Sequence, residues 1–197
     1  MGHSVMNSQS NSTLVSAIWP ETQSKILRYG AIALISTLML TASAKIQVPF
    51  WPVPMTMQTF VVLFLGAALG SRLGAAVVAL YLLQGAMGLP VFAGTPEKGL
   101  GLAYMMGPTG GYLVGFVVAA FIVGWLAERG WQSVPRLFVS MFIGHVAILG
   151  LGYLWLAVLI GADKAWIAGV VPFFAATVFK TALGAAVVPA LWQLTKR

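Results

Sequence analysis

The sequence predicts an all-α integral membrane protein, a bundle of six transmembrane helices with both termini in the cytoplasm. Three observations carry that prediction. Hydrophobic residues make up 59% of the 197-residue chain and charged residues only 8%, against about 25% charged in a soluble domain. Several apolar runs exceed the roughly 20 residues that a spanning helix requires. The few positive charges bracket those runs rather than clustering, which is the topogenic pattern of membrane proteins.

Residues 1–24 form a tail rich in Ser, Asn and Gln, expected to be flexible. The tail lacks the apolar core of a signal peptide, and Met6 stands where N-myristoylation would want Ser or Thr. Residues 25–197 form one domain, which charges and Gly/Pro clusters divide into six apolar spans, at 28–46, 56–71, 73–88, 109–127, 137–161 and 170–194. Spans 2 and 3 are short and separated only by "GSRLG", so they should form a tight helical hairpin. Lys25, Arg28, Arg72, Arg129, Arg136, Lys196 and Arg197 fall on one side of the membrane, and Lys45, Lys98 and Lys164 on the other. The side with more Lys and Arg is cytoplasmic, which puts both termini inside.

Lys180 is the exception to this charge pattern. It sits within "PFFAATVFKTALGAAVVP", a stretch long enough to cross a bilayer, where a lysine costs about 2.5–3.5 kcal/mol even on lenient insertion scales. It lies about 12 Å below Pro172 at 1.5 Å rise per residue, too deep to snorkel. The acids Glu21, Glu97, Glu128 and Asp163 all fall in tails or loops. An unpaired intramembrane ammonium points to a ligand that is anionic or strongly hydrogen-bonding. Thr177, Lys180, Thr181 and Gly184 share one helix face. Thr56, Gln58 and Thr59 at the start of span 2 lie in the same outer half of the bundle, and so do Tyr81 and Gln84 near the end of span 3. A pocket open to the outside accounts for this convergence. Taken singly, Gln58, Tyr81 and Gln84 read equally well as interhelical hydrogen-bonding groups, and Thr56 and Thr59 as helix caps.

The outer segment "GLPVFAGTPEKGLGLAYMMGPTGG" is longer than a connector needs to be, and such loops tend to be lids or binding elements. Its "GPTGG" end lacks the lysine spacing of a nucleotide-binding loop and reads as a tight turn into span 4. His145 reads as a packing histidine in the inner half of span 5. Small residues recur at every fourth position. Gly111, Gly115 and Ala119 should pack inside the bundle. Ala33, Thr37 and Thr41 of span 1 should face lipid in the free protein and a partner protein in a complex.

Several functions are excluded. With no cysteine and only His3 and His145, no metal cluster, cysteine nucleophile or His–acid pair supports an enzyme, and no cofactor is implied. A net charge of +7 without a basic run does not indicate nucleic acid. No carboxylate lies within a span to carry protons, and no nucleotide-binding signature is present, so any energy source is external.

The motifs "VPMTMQTFVVLFLGAALG", "YLLQGAMGLPVFAG" and "GPTGGYLVGF" resemble those of the BioY family, the biotin-specific substrate-binding (S) components of energy-coupling-factor (ECF) transporters, which are a type of ABC transporter. The similarity spans residues 28–194 in motif order and span layout. It implies biotin capture from outside a bacterial cytoplasmic membrane, with a transmembrane coupling (T) subunit and cytoplasmic ABC ATPases as partners. The alternative is a self-sufficient transporter, solitary or homo-oligomeric, of biotin or another small vitamin. Many members carry an Asp three positions before the helix-6 lysine. Here Thr177 stands in its place and cannot neutralise Lys180. Under this resemblance Lys180 meets either the biotin carboxylate or its ureido carbonyl. Gln58, Gln84 and Thr177 serve the ureido edge, and Trp51, Phe92 and Tyr112 pack the rings. Tyr81 and Thr109 complete the candidate site.

Overall fold

The computed structural model describes residues 24–48 and 51–195, which form helices joined by short connections and one small β-ribbon. All of the expected polar tail except Ser24 lies outside the described residues. The elements in chain order are α1 Lys25–Lys45, β1 Gln47–Val48, β2 Met55–Thr56, α2 Gln58–Leu69, α3 Ser71–Ala86, α4 Gly101–Met105, α5 Gly110–Glu128, α6 Val134–Ile160, α7 Ala162–Gly169 and α8 Phe174–Thr195. A 3₁₀ turn, Val171–Phe173, leads into α8. Strands β1 and β2 are antiparallel, pairing Gln47 with Thr56 and Val48 with Met55.

By length and hydropathy four segments can cross a membrane: α1, α5, α6 and the stretch Ala162–Leu191. The two remaining expected spans correspond to the shorter apolar helices α2 and α3. They form the hairpin that the sequence predicts, with Gly70 alone between them at φ 85°, a conformation that glycine adopts without steric cost. The start of α3 is capped from outside the hairpin. Glu128, at the end of α5, accepts from Ser71 N at 2.7 Å and from Ser71 Oγ at 2.9 Å, satisfying one of the donors that a helix start leaves open.

Helix α5 is the hub, packing against α2, α3 and α6. Its small residues allow that closeness. Gly115 lies against the Ile148 backbone of α6, and a Cβ built on Gly66 of α2 would come 2.5 Å from the Ala120 carbonyl of α5. Gly111, Gly115 and Ala119 are all buried.

Helix α1 turns a mostly polar or small face inward, with Ile32, Ser36, Thr37, Leu40, Ser43 and Ala44 buried. This corrects the expectation for its stripe. Thr37 is buried, and Ala33 and Thr41 are half-buried beside it, whereas Leu34, Ile35 and Leu38 face outward. The reason is the 3.6-residue period: the larger aliphatic residues carry the apolar face to the surroundings, and the small ones allow close approach to the bundle.

Candidate functional site

Helices α2, α5, α6 and α8 surround a cavity that the β-ribbon segment and the α3–α5 connection cover. It is narrow, with about 50 Å³ of space open to the centres of water-sized molecules. Its polar lining is Thr56, Gln58, Thr59, Tyr104, Thr109, Tyr112, His145, Thr177 and Lys180, and its apolar lining includes Val53, Leu113, Phe116, Ile148 and Phe173. Among the described residues no Asp or Glu lines it.

Lys180, on α8, is 6% exposed. Its ammonium donates to the backbone carbonyl of Thr56 and, at 3.1 Å, to Thr59 Oγ1. These neutral oxygens orient the charge without cancelling it. An ammonium has three protons, so one remains for a ligand. The anchor is the junction of β2 and α2, where Thr56 Oγ1 also accepts from Gln58 N at 3.2 Å. Thr56 thus both accepts from the first N–H of the helix and holds the lysine. Gln58, first residue of α2, is buried, and its Nε2 has no protein partner. Facing these groups, Tyr112 directs its hydroxyl at the Gly169 carbonyl, 2.7 Å away, leaving its ring as wall beside Phe173, centroid to centroid 6.3 Å.

The cover is tied down from three helices. Tyr81 of α3 donates to the Val91 carbonyl at 2.8 Å, and Tyr104 of α4 to the Ala93 carbonyl at 2.7 Å. Lys45, at the end of α1, donates to the carbonyls of Phe92 and Thr95 at 3.0 and 2.9 Å and to Thr95 Oγ1 at 3.1 Å. Phe92 is clamped by Tyr81 edge-on and Tyr104 stacked, at 5.5 and 5.0 Å between centroids. Burial raises the Tyr104 phenol above its ordinary pKa, so it stays protonated and keeps its bond to the loop.

The predicted site residues therefore divide. Lys180, Thr177, Gln58, Thr109 and Tyr112 meet on the cavity wall. Tyr81 and Phe92 are buried behind it, serving the cover, and half-buried Gln84 does not reach it. Trp51 is 82% exposed, beside a superficial groove with Lys164 and Ile167. The misplaced residues all belong to α3 or to loops, whose path is set by contacts such as those of Lys45 rather than by helical period. Sequence reasoning did not single out Tyr104, Phe116 and Phe173, and it placed His145, which also lines the cavity, among the packing residues. Two signals were available: Phe173 precedes Thr177 by four and Lys180 by seven residues, and Phe116 follows Tyr112 by four.

A buried cavity among apolar helices, with one uncompensated ammonium and aromatic walls, defines a membrane protein that binds a small polar or anionic molecule. The chain belongs to the BioY family, whose model matches residues 12–197. It is 36% identical over 152 residues to a probable biotin transporter BioY of Pyrococcus horikoshii, covering 77% of this chain and 88% of that one. It is 32% identical over 179 residues to the biotin transporter BioY2 of Lactococcus lactis, covering 87% and 96%. A crystal structure of the S-component for biotin from an ECF-type ABC transporter superposes with a TM-score of 0.72 at 23% identity, over 85% of this chain and 92% of that one. That likeness is one of fold.

Proposed function

We propose that this chain captures biotin in the cavity around Lys180 and delivers it across the cytoplasmic membrane as the substrate-binding component of an ECF-type transporter. The observation that carries the reading is a buried ammonium with a spare donor and, among the described residues, no carboxylate in its cavity, in a chain whose relatives are named biotin transporters. Biotin matches the lining. A carboxylate or ureido carbonyl accepts from Lys180, the Gln58 amide and Thr177 hydroxyl serve the polar ring edge, and Tyr104, Tyr112, Phe116 and Phe173 enclose the thioether ring. Thr109 adds a hydroxyl to the lining.

In this reading α1, α2, α3, α5, α6 and α8 all cross the bilayer and both termini are cytoplasmic. In support, Arg28, Arg72 and Arg129 line one common groove, as a positive inner face requires. Because the chain has no cysteine, single engineered cysteines and impermeant labels test the topology directly.

Transport against a gradient then needs a coupling subunit and ATPases. Purified protein should bind radiolabelled biotin without nucleotide. Cells lacking other biotin uptake should concentrate biotin only when those partner subunits are co-expressed. Absence of binding would sink the ligand assignment. Concentrative uptake by the chain alone would instead establish a self-sufficient transporter.

A further inference from the structure

His145 does more than pack. It lies on α6, is 2% exposed, and forms part of the same cavity wall as Lys180 and the Thr56 and Thr59 that hold it. Its Nδ1 is 3.1 Å from the Met141 carbonyl one turn back and 3.1 Å from Thr181 Oγ1 on α8. A carbonyl oxygen can only accept, so we assign the proton to Nδ1, where the Met141 carbonyl and Thr181 Oγ1 share it. In the neutral ring that choice leaves Nε2 bare, with a lone pair and nothing to offer but acceptance. Among the described residues Nε2 is one of four buried side-chain polar atoms without a partner. Two of the four, His145 Nε2 and Gln58 Nε2, belong to residues of the cavity wall. Leaving a buried acceptor unsatisfied is costly, and native proteins rarely do so without a functional reason.

We propose that His145 Nε2 accepts a hydrogen bond from an N–H of the bound ligand, which makes His145 a specificity-determining residue of this site. The inference rests on the biotin reading, in which the donor is one of the two ureido N–H groups. Lys180 and the Gln58 amide offer N–H donors to oxygen, whereas His145 offers an acceptor to N–H. A ureido ring presents both a carbonyl and N–H groups, and needs a wall of mixed polarity. Among the described residues of the wall there is no carboxylate and Thr177 supplies only a hydroxyl, so His145 Nε2 is the nitrogen acceptor there. Two contacts hold its ring in place, the Met141 carbonyl on its own helix and Thr181 from the facing helix, so the lone pair is preoriented.

Two measurements test this. Calorimetric titration of the full chain compares biotin with the two mono-N-methylated ureido isomers, using wild type and His145→Leu. Biotin should bind His145→Leu about tenfold or more weakly, as expected for a lost bond that leaves a ligand donor buried. One methylated isomer, already lacking the relevant proton, should lose almost nothing further. Equal losses for biotin and both isomers would mean a structural role and overturn the proposal, as would unchanged biotin affinity. The second measurement needs no folded variant. The chain has only two histidines, so a ¹⁵N-histidine spectrum of wild type resolves His145. Biotin should shift its Nε2 resonance while Nδ1 stays protonated, and the blocked isomer should not. An Nε2 signal indifferent to saturating biotin would overturn the assignment. Failure of wild type to bind biotin at all would instead refute the functional reading on which this one rests.

Discussion

Replacing Lys180 by Ala is the perturbation whose size the structure constrains best. Two of the three ammonium protons are committed to the Thr56 carbonyl and Thr59 Oγ1, which leaves a single charge-assisted bond to the ligand. Such a bond contributes about 1.5–3 kcal/mol, so biotin affinity should fall by roughly 10- to 150-fold. Titration calorimetry on detergent-purified protein reads this directly. Biotin amide separates the two roles of the charge. If Lys180 holds the carboxylate, the variant should lose far less affinity for the amide than for biotin; if it holds the ureido carbonyl, the losses should match. Lys180→Arg should fail to restore full binding, because its planar fork cannot reproduce the point contact with Thr56 and Thr59. The variant also frees the Thr56 carbonyl at the β2–α2 junction, so thermal unfolding should be followed in parallel. A folded Lys180→Ala protein with unchanged affinity for both ligands would refute the reasoning and make Lys180 a structural residue.

Lys45→Met removes three contacts to the cover at Phe92 and Thr95. It should weaken biotin binding about three- to tenfold, the equivalent of one hydrogen bond, and quicken proteolysis in the 91–99 loop; unchanged proteolysis would mean the cover is held elsewhere. Gly66→Val should cost about 1–3 kcal/mol through overpacking, since even a Cβ there meets the Ala120 carbonyl. Gly30→Ala, with nothing within 4 Å of the added Cβ, should be neutral or raise the melting temperature. Thr37→Trp should lower the yield and thermal stability of the isolated protein, because Thr37 is 3% exposed, whereas Leu38→Trp should be tolerated. A Thr37→Trp protein of normal stability that fails only to assemble with a coupling subunit would restore the docking role first expected of the stripe.

What could be read from the chain was whatever depends on neighbours in sequence. Uninterrupted apolar runs between charges dictate helices because a bilayer forbids an unpaired backbone. "GSRLG" dictates a hairpin because its first residue, Gly70, which alone separates the two helices, can take φ 85°. The cost of a mid-span lysine marks Lys180 from the sequence alone, and helical period places Thr177 beside it. Tertiary structure alone decided which groups share the cavity. The side of α1 that faces the bundle buries Thr37 and half-buries Ala33 and Thr41, where the sequence suggests that the stripe faces lipid, because the rotation of a helix about its axis is set by its packing partners and its own low amphipathicity says little. The loops carrying Trp51 and Phe92 went elsewhere because Lys45, Tyr81 and Tyr104 fix their course from distant positions in the chain. His145 shows the same limit. Nothing in the residues around it distinguishes a packing histidine from one whose Nε2 is left without a protein partner, because that depends on Met141 and Thr181 together taking up the other nitrogen. Periodicity is a property of one helix, and a site is a property of several.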